Sequence, residues 1–229
     1  MELIIITIIA LITVIVLKFV FDYNIKKIKE IVKDEELDEI SKKYPSNIEI
    51  CKWYLDKLNN NSVKIEENKE TEASLYIVIS NKILIADINK TYTRIQTIAH
   101  ECLHSIQNKK ILLFNFIYSN IYLFYYILIC ILAIFKVLPY ENMFIIIFLI
   151  LSLVYYMVRI YLENDAMIKA RYLANDYIKE IKISEPNEIK KMESGFDKIN
   201  NIGIKSINYN FFLNIMIKLM VFLLICIIR

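Results

Sequence analysis

Four long apolar runs, separated by charged segments, constrain this chain more than any other feature. They cover Leu3 to Phe21, Ile111 to Phe135, Met143 to Val158 and Phe211 to Ile228. A bilayer core is crossed by about 20 apolar residues in a helix, because only a helix or a closed barrel satisfies the backbone where water is absent. The first run carries only Thr7, Thr13 and Lys18 as polar interruptions. It starts Met-Glu and ends Phe-Val-Phe-Asp-Tyr, without the basic start and small-residue cleavage site of a secretory signal, so it reads as an uncleaved anchor. Asn214 and Lys218 interrupt the fourth run, and Lys218 either snorkels to the interface or faces the bundle. The chain is 57% hydrophobic yet 23% charged, so greasy and wet segments must alternate. Two glycines and three prolines in 229 residues suit long helices.

The wet segments have their own patterns. Ile25 to Ile40 spaces Ile, Val and Leu helically among Lys and Glu, and Ile48 to Leu58 repeats this more briefly. Asn59 to Ser62 reads as a loop. Leu75 to Ile79 and Ile83 to Ile88 are β-branched runs joined by Ser80-Asn81-Lys82, a hairpin pattern. Thr93 to Gln107 then turns helical, with Thr93 and Gln96 in capping-box spacing. Asp165 to Asn210 reads as helical to Glu180 and looser around Pro186, Gly195 and Gly203. The resulting division is an anchor at 1–23, an α+β segment at 24–110, a transmembrane hairpin at 111–160, a helical segment at 161–210 and a last transmembrane helix at 211–229. Lys26, Lys27, Lys29, Lys109, Lys110, Arg159, Lys169 and Arg171 all flank the crossings on one side. The positive-inside rule makes that side cytoplasmic and the protein a multi-pass component of the cell membrane. A net charge of +3 without a basic, aromatic-studded stripe argues against nucleic acid. Oligomeric state is not legible. Cys51, Cys102, Cys130 and Cys226 follow neither a zinc nor a disulfide spacing.

The chain has two histidines, His100 and His104, with Glu101 between them in His-Glu-Cys-Leu-His. Residues four apart on a helix share one face, about 6 Å apart along the axis, so both imidazoles can reach one tetrahedral zinc ion. Glu101 beside them is placed to take a proton from water activated at that ion. Cys102 points away from both histidines on such a helix. Glycine at 107 and histidine at 110 would make a longer metzincin motif, but Gln107 and Lys110 stand there. With no third histidine, the remaining ligand falls to a carboxylate, and Glu163, just past the third run, is the best placed. Asp165 is a candidate to orient a ligand imidazole from outside the metal shell. Arg171 and Tyr172 are candidates for holding an oxyanion. Ile83 to Ile88 reads as an edge strand able to pair with an extended substrate. For the ligands to meet, the chain must bend between Asn108 and Asn120, with Ile111 to Phe116 running along the interface.

Ala99-His100-Glu101 to His104-Ser105-Ile106-Gln107, with an apolar hairpin and then Glu163-Asn164-Asp165-Ala166 and Ala170, resembles the bacterial membrane-bound neutral zinc metallopeptidases of the YugP type. The resemblance covers roughly residues 1–175. That family usually has glycine before its second histidine, where this chain has Leu103, and a serine and basic residues where it has Met167 and Ile168. The resemblance implies one zinc ion per chain on His100, His104 and Glu163, with Glu101 catalytic and a peptide or protein substrate. The expected fold is a mainly α-helical integral membrane protein with four transmembrane helices and a small zincin-like α+β cytoplasmic part containing a β-hairpin. The competing expectation is a catalytically silent zinc-binding membrane scaffold, whose ion would carry a fourth protein ligand.

Overall fold

A computed structural model describes residues 2–68, 70–71 and 73–228. In chain order its elements are α1 (Glu2–Val20), α2 (Ile25–Val32), α3 (Glu35–Ser41), α4 (Asn47–Lys57), β1 (Lys64–Glu67), β2 (Leu75–Ile77), β3 (Lys82–Ile85), α5 (Arg94–Ile106), α6 (Lys109–Ile134), α7 (Glu141–Ile181) and α8 (Pro186–Ile228). The fold is mostly helical. Four helices, α1, α6, α7 and α8, are long and apolar enough to cross a membrane, which is compatible with a multi-pass membrane protein.

The chain divides into two compact units. The first comprises Met1–Tyr23, Phe114–Tyr161 and Lys205–Arg229. Tyr122, Ile129, Ala133, Phe148, Leu219, Phe222 and Leu223 form its core, while Phe19, Phe124, Ile146, Ile150 and Leu153 are exposed on its outside. Apolar inside and outside is what hydrocarbon solvent allows. The Thr7, Ser119 and Ser152 hydroxyls each donate to a carbonyl one turn back, of Leu3, Asn115 and Phe148, while the Tyr118 and Tyr125 hydroxyls donate across to the Leu151 and Phe144 carbonyls of α7. Lys218 faces the bundle, with Nζ 4.7 Å from the centre of the Tyr122 ring and within cation–π reach of Tyr126 and Tyr155.

The second unit comprises Asn24–Leu113 and Leu162–Ile204. Its core gathers Leu37, Ile50, Tyr54, Ile83, Ile85, Ile98, Ala166, Ala170, Tyr177 and Phe196. Local signals start its short helices. Asp34 accepts a hydrogen bond from the Leu37 N–H at α3, and Ser46 and Glu49 form a capping box at α4. The Thr93 capping box does not form. Thr93 is already helical and makes no cap bond; its hydroxyl lies 3.0 Å from that of Thr91.

The expected hairpin forms, with β2 and β3 antiparallel and Tyr76 opposite Ile83. A third strand, β1, pairs parallel to β3 on its other side, in the order β1-β3-β2. This corrects the edge-strand reading of Ile83 to Ile88: β3 is central, with Ile83 and Ile85 buried, and β2 is an edge. Lys64-Ile65-Glu66-Glu67 gave no apolar strand signal because one face of this short edge strand is solvated.

Two further expectations change. The bend falls at Gln107 and Asn108, where Gln107 turns extended (ψ 162°) and the Asn108 side chain accepts from the Lys110 N–H to start α6. Ile111 to Phe116 belong to α6 and form no separate interfacial segment. The looser region after Glu180 is limited to a short break, and α8 runs unbroken through both glycines. Their role is close approach. A Cβ at Gly195 would lie 2.6 Å from Leu37 Cδ1 and 3.0 Å from Tyr92 Cε2.

Candidate metal centre

The site belongs to the second unit and is carried by α5 and α7. α5 packs against α4 and the sheet, burying Ile95, Ile98, Ala99 and Cys102. Arg94 anchors its first turn. Only 2% exposed, its guanidinium donates to Ser41 Oγ, to the Ser41, Tyr44 and Pro45 carbonyls and to Asn47 Oδ1. At the other end, Asn60 Nδ2 donates to the Ser105 carbonyl at 3.1 Å. The helix is thereby held at both ends, and His100, Glu101 and His104 lie between them.

His100 and His104 turn their Nε2 atoms toward each other at 3.0 Å, with ring planes 88° apart. Glu163 from α7 brings Oε2 to 3.2 Å from His100 Nε2 and 3.6 Å from His104 Nε2. A tetrahedral ion with bonds of about 2.0–2.1 Å holds its ligand atoms about 3.3 Å apart, so the three separations fit such an ion. Among the described residues these three form the group of donors able to hold a metal. No fourth His, Cys, Asp or Glu joins them among those residues. Cys102 turns the other way, its Sγ 3.5 Å from that of Cys51.

Hydrogen bonds set the tautomer of His104. The Gln107 side-chain amide donates to the Leu162 carbonyl at 2.8 Å and to Asp165 Oδ2 at 3.0 Å. Its Oε1 is therefore the acceptor facing His104 Nδ1, 2.8 Å away, and Nδ1 carries the proton. In the neutral ring this leaves the Nε2 lone pair aimed at the cluster, as ligation requires. Asp165 thus acts on His104 through Gln107, one side chain further out than the sequence suggested. Gln107 was missed, although as the C-cap of the motif helix it sits one turn beyond His104. Burial pulls the His104 pKa down, but the hydrogen bond and charge of Glu163, with Glu101 and Gln107, leave it raised.

Glu101 is buried beside the histidines, and Oε2 accepts a 2.7 Å hydrogen bond from the Tyr76 backbone N–H. That N–H projects from β2 on the side away from β3, so the outer edge of the sheet borders the site. Burial raises the Glu101 pKa, against the lowering charges of His100 and His104, while Glu163 adds to the rise. Arg171 is engaged elsewhere, its Nη1 3.2 Å from Asp197 Oδ1 and its guanidinium over the Tyr172 ring. Tyr172 is largely exposed, and neither residue is brought to the cluster by these contacts.

The comparisons are blank. No family model, curated protein or solved structure matches this chain. What the site does must be argued from its own atoms.

Proposed function

We propose that the chain is a membrane-embedded zinc metallopeptidase, with one zinc ion on His100, His104 and Glu163 and Glu101 as general base and acid. The observation that carries this reading is the triangle of Nε2, Nε2 and Oε2 atoms at tetrahedral-ligand spacing, with a buried carboxylate next to it in sequence. Two imidazoles and a carboxylate are a zinc donor set that leaves one coordination position open. When bound there, zinc supplies Lewis acidity, polarising a carbonyl and making water a stronger acid. The residues do the rest. Tyr76 N–H holds Glu101 Oε2, leaving Oε1 free to accept a proton from the attacking water and return it to the leaving amine. A carboxyl whose pKa burial has raised is better matched to both transfers than an ordinary surface glutamate.

The short sheet beside the motif helix supports the zincin-like reading, the outer edge of β2 serving to hold Glu101. The basic residues flanking the spans support a site on the cytoplasmic side. A silent scaffold would require a fourth protein ligand. Among the described residues no further His, Cys, Asp or Glu joins the three, which supports the enzyme over the scaffold.

Metal analysis and casein or peptide-library cleavage by the detergent-purified chain test the reading. Glu101→Gln is expected to keep its zinc and lose cleavage about 10²–10⁴-fold. His104→Ala is expected to lose both. Cleavage by Glu101→Gln at the wild-type rate would end the proposal.

A further inference from the structure

His104 has its outer partner in Gln107, while His100 has none among the described residues. The His100 Nδ1 atom is buried and lacks a hydrogen-bond partner, and so do both side-chain polar atoms of Gln96, a residue only 3% exposed. Buried polar groups without partners are rare, and each calls for a bound water, an ion or a working role. Helical spacing sets the two side chains on adjacent turns. Gln96 precedes His100 by one turn on the same face of α5, and helical side chains lean toward the N-terminus, so the His100 ring lies over the turn that Gln96 occupies. They also complement one another. With His100 Nε2 turned to the cluster, Nδ1–H is a donor, and Gln96 offers an acceptor and a donor. A buried water makes about three hydrogen bonds. Three orphaned atoms are what is present.

We infer that Gln96 is a positioning residue for His100, accepting its Nδ1 proton through one buried water, as Gln107 does directly for His104. The inference rests on the metal-site reading above. It also accounts for Gln96 itself. The capping box that would have used this side chain is absent, and nothing else in the described structure uses its amide. An amide buried without partners destabilises a fold, so an apolar residue of similar size would be the more stable choice unless the amide served the site.

That reasoning separates a positioning role from a merely structural one. Detergent-purified full-length chains are titrated with zinc against a chelator, and their metal-free melting temperatures are recorded. Gln96→Leu is expected to weaken zinc binding about 10–100-fold while the metal-free protein melts no lower than wild type. Gln96→Glu keeps an acceptor and is expected to retain near-wild-type zinc affinity. It also decides the question if Gln96→Leu folds poorly. Wild-type zinc affinity in Gln96→Leu, or a loss in Gln96→Glu as large as in Gln96→Leu, would overturn the inference and leave the metal site standing. Wild-type protein that binds zinc no better than His104→Ala would overturn the metal reading itself.

Discussion

The two units bury polar groups in different ways. In the first, Thr7, Ser119 and Ser152 each bond a carbonyl one turn back on their own helix, and the Tyr118 and Tyr125 hydroxyls reach no further than the adjacent α7. In the second, the polar groups bind segments far apart in the chain. Arg94 gathers the carbonyls of Ser41, Tyr44 and Pro45, and Gln107 bridges His104 to Leu162 and Asp165. The first pattern makes a helix self-sufficient where water is absent. The second specifies a single arrangement of segments, which a metal centre needs because its ligands must meet to a fraction of an ångström. The first unit accordingly carries the apolar helices and the second the candidate metal centre.

The contrast predicts a graded series of substitutions. Arg94→Ala should have the largest effect, because truncation takes the donor from five acceptors at once, four of them in buried bonds. We expect a loss of about 3 kcal/mol or more, measured by denaturant unfolding in detergent and followed by fluorescence of Trp53, the single tryptophan, which packs on Tyr54 and Tyr177 of the same core. Gln107→Leu comes next. It should weaken zinc binding about 10–100-fold in chelator competition, and unchanged affinity would remove the Gln107 link from the account. Ser46→Ala deletes a local cap and should cost about 1 kcal/mol in the same unfolding assay. The partner Glu49 has its pKa lowered by the Ser46 side chain and backbone N–H. Its contribution is therefore present above the ordinary carboxylate value and lost as pH falls through the depressed folded one. Ser152→Ala, which removes the bond to the Phe148 carbonyl one turn back and a 3.2 Å bond to the Tyr122 hydroxyl, should cost about 1 kcal/mol by thermal unfolding in detergent. If Ser152→Ala proved as damaging as Arg94→Ala, the comparison would fail.

Much of this was legible in the sequence because it follows from local periodicity. The four spans are runs of one character. The hairpin is two β-branched runs around Ser80-Asn81-Lys82. His100 and His104 share a face because helical geometry alone puts residues four apart together. The errors have local causes too. Thr93 and Gln96 matched a capping pattern that the backbone did not use, and β1 was hidden in a charged run whose strand character comes from pairing with β3.

What only the tertiary structure decided are relations between distant parts of the chain. No spacing rule brings Glu163 to the two imidazoles, gives Gln107 its bond to Asp165, or turns Cys102 toward Cys51. Periodicity tells which face of an element is apolar, since that depends on a few neighbouring residues. Which faces meet, and which polar atoms find partners there, depends on the packing of the whole unit. The letters of the chain could therefore suggest His100, His104 and Glu163 as candidate ligands, while their meeting and the hydrogen bond that orients His104 required the fold.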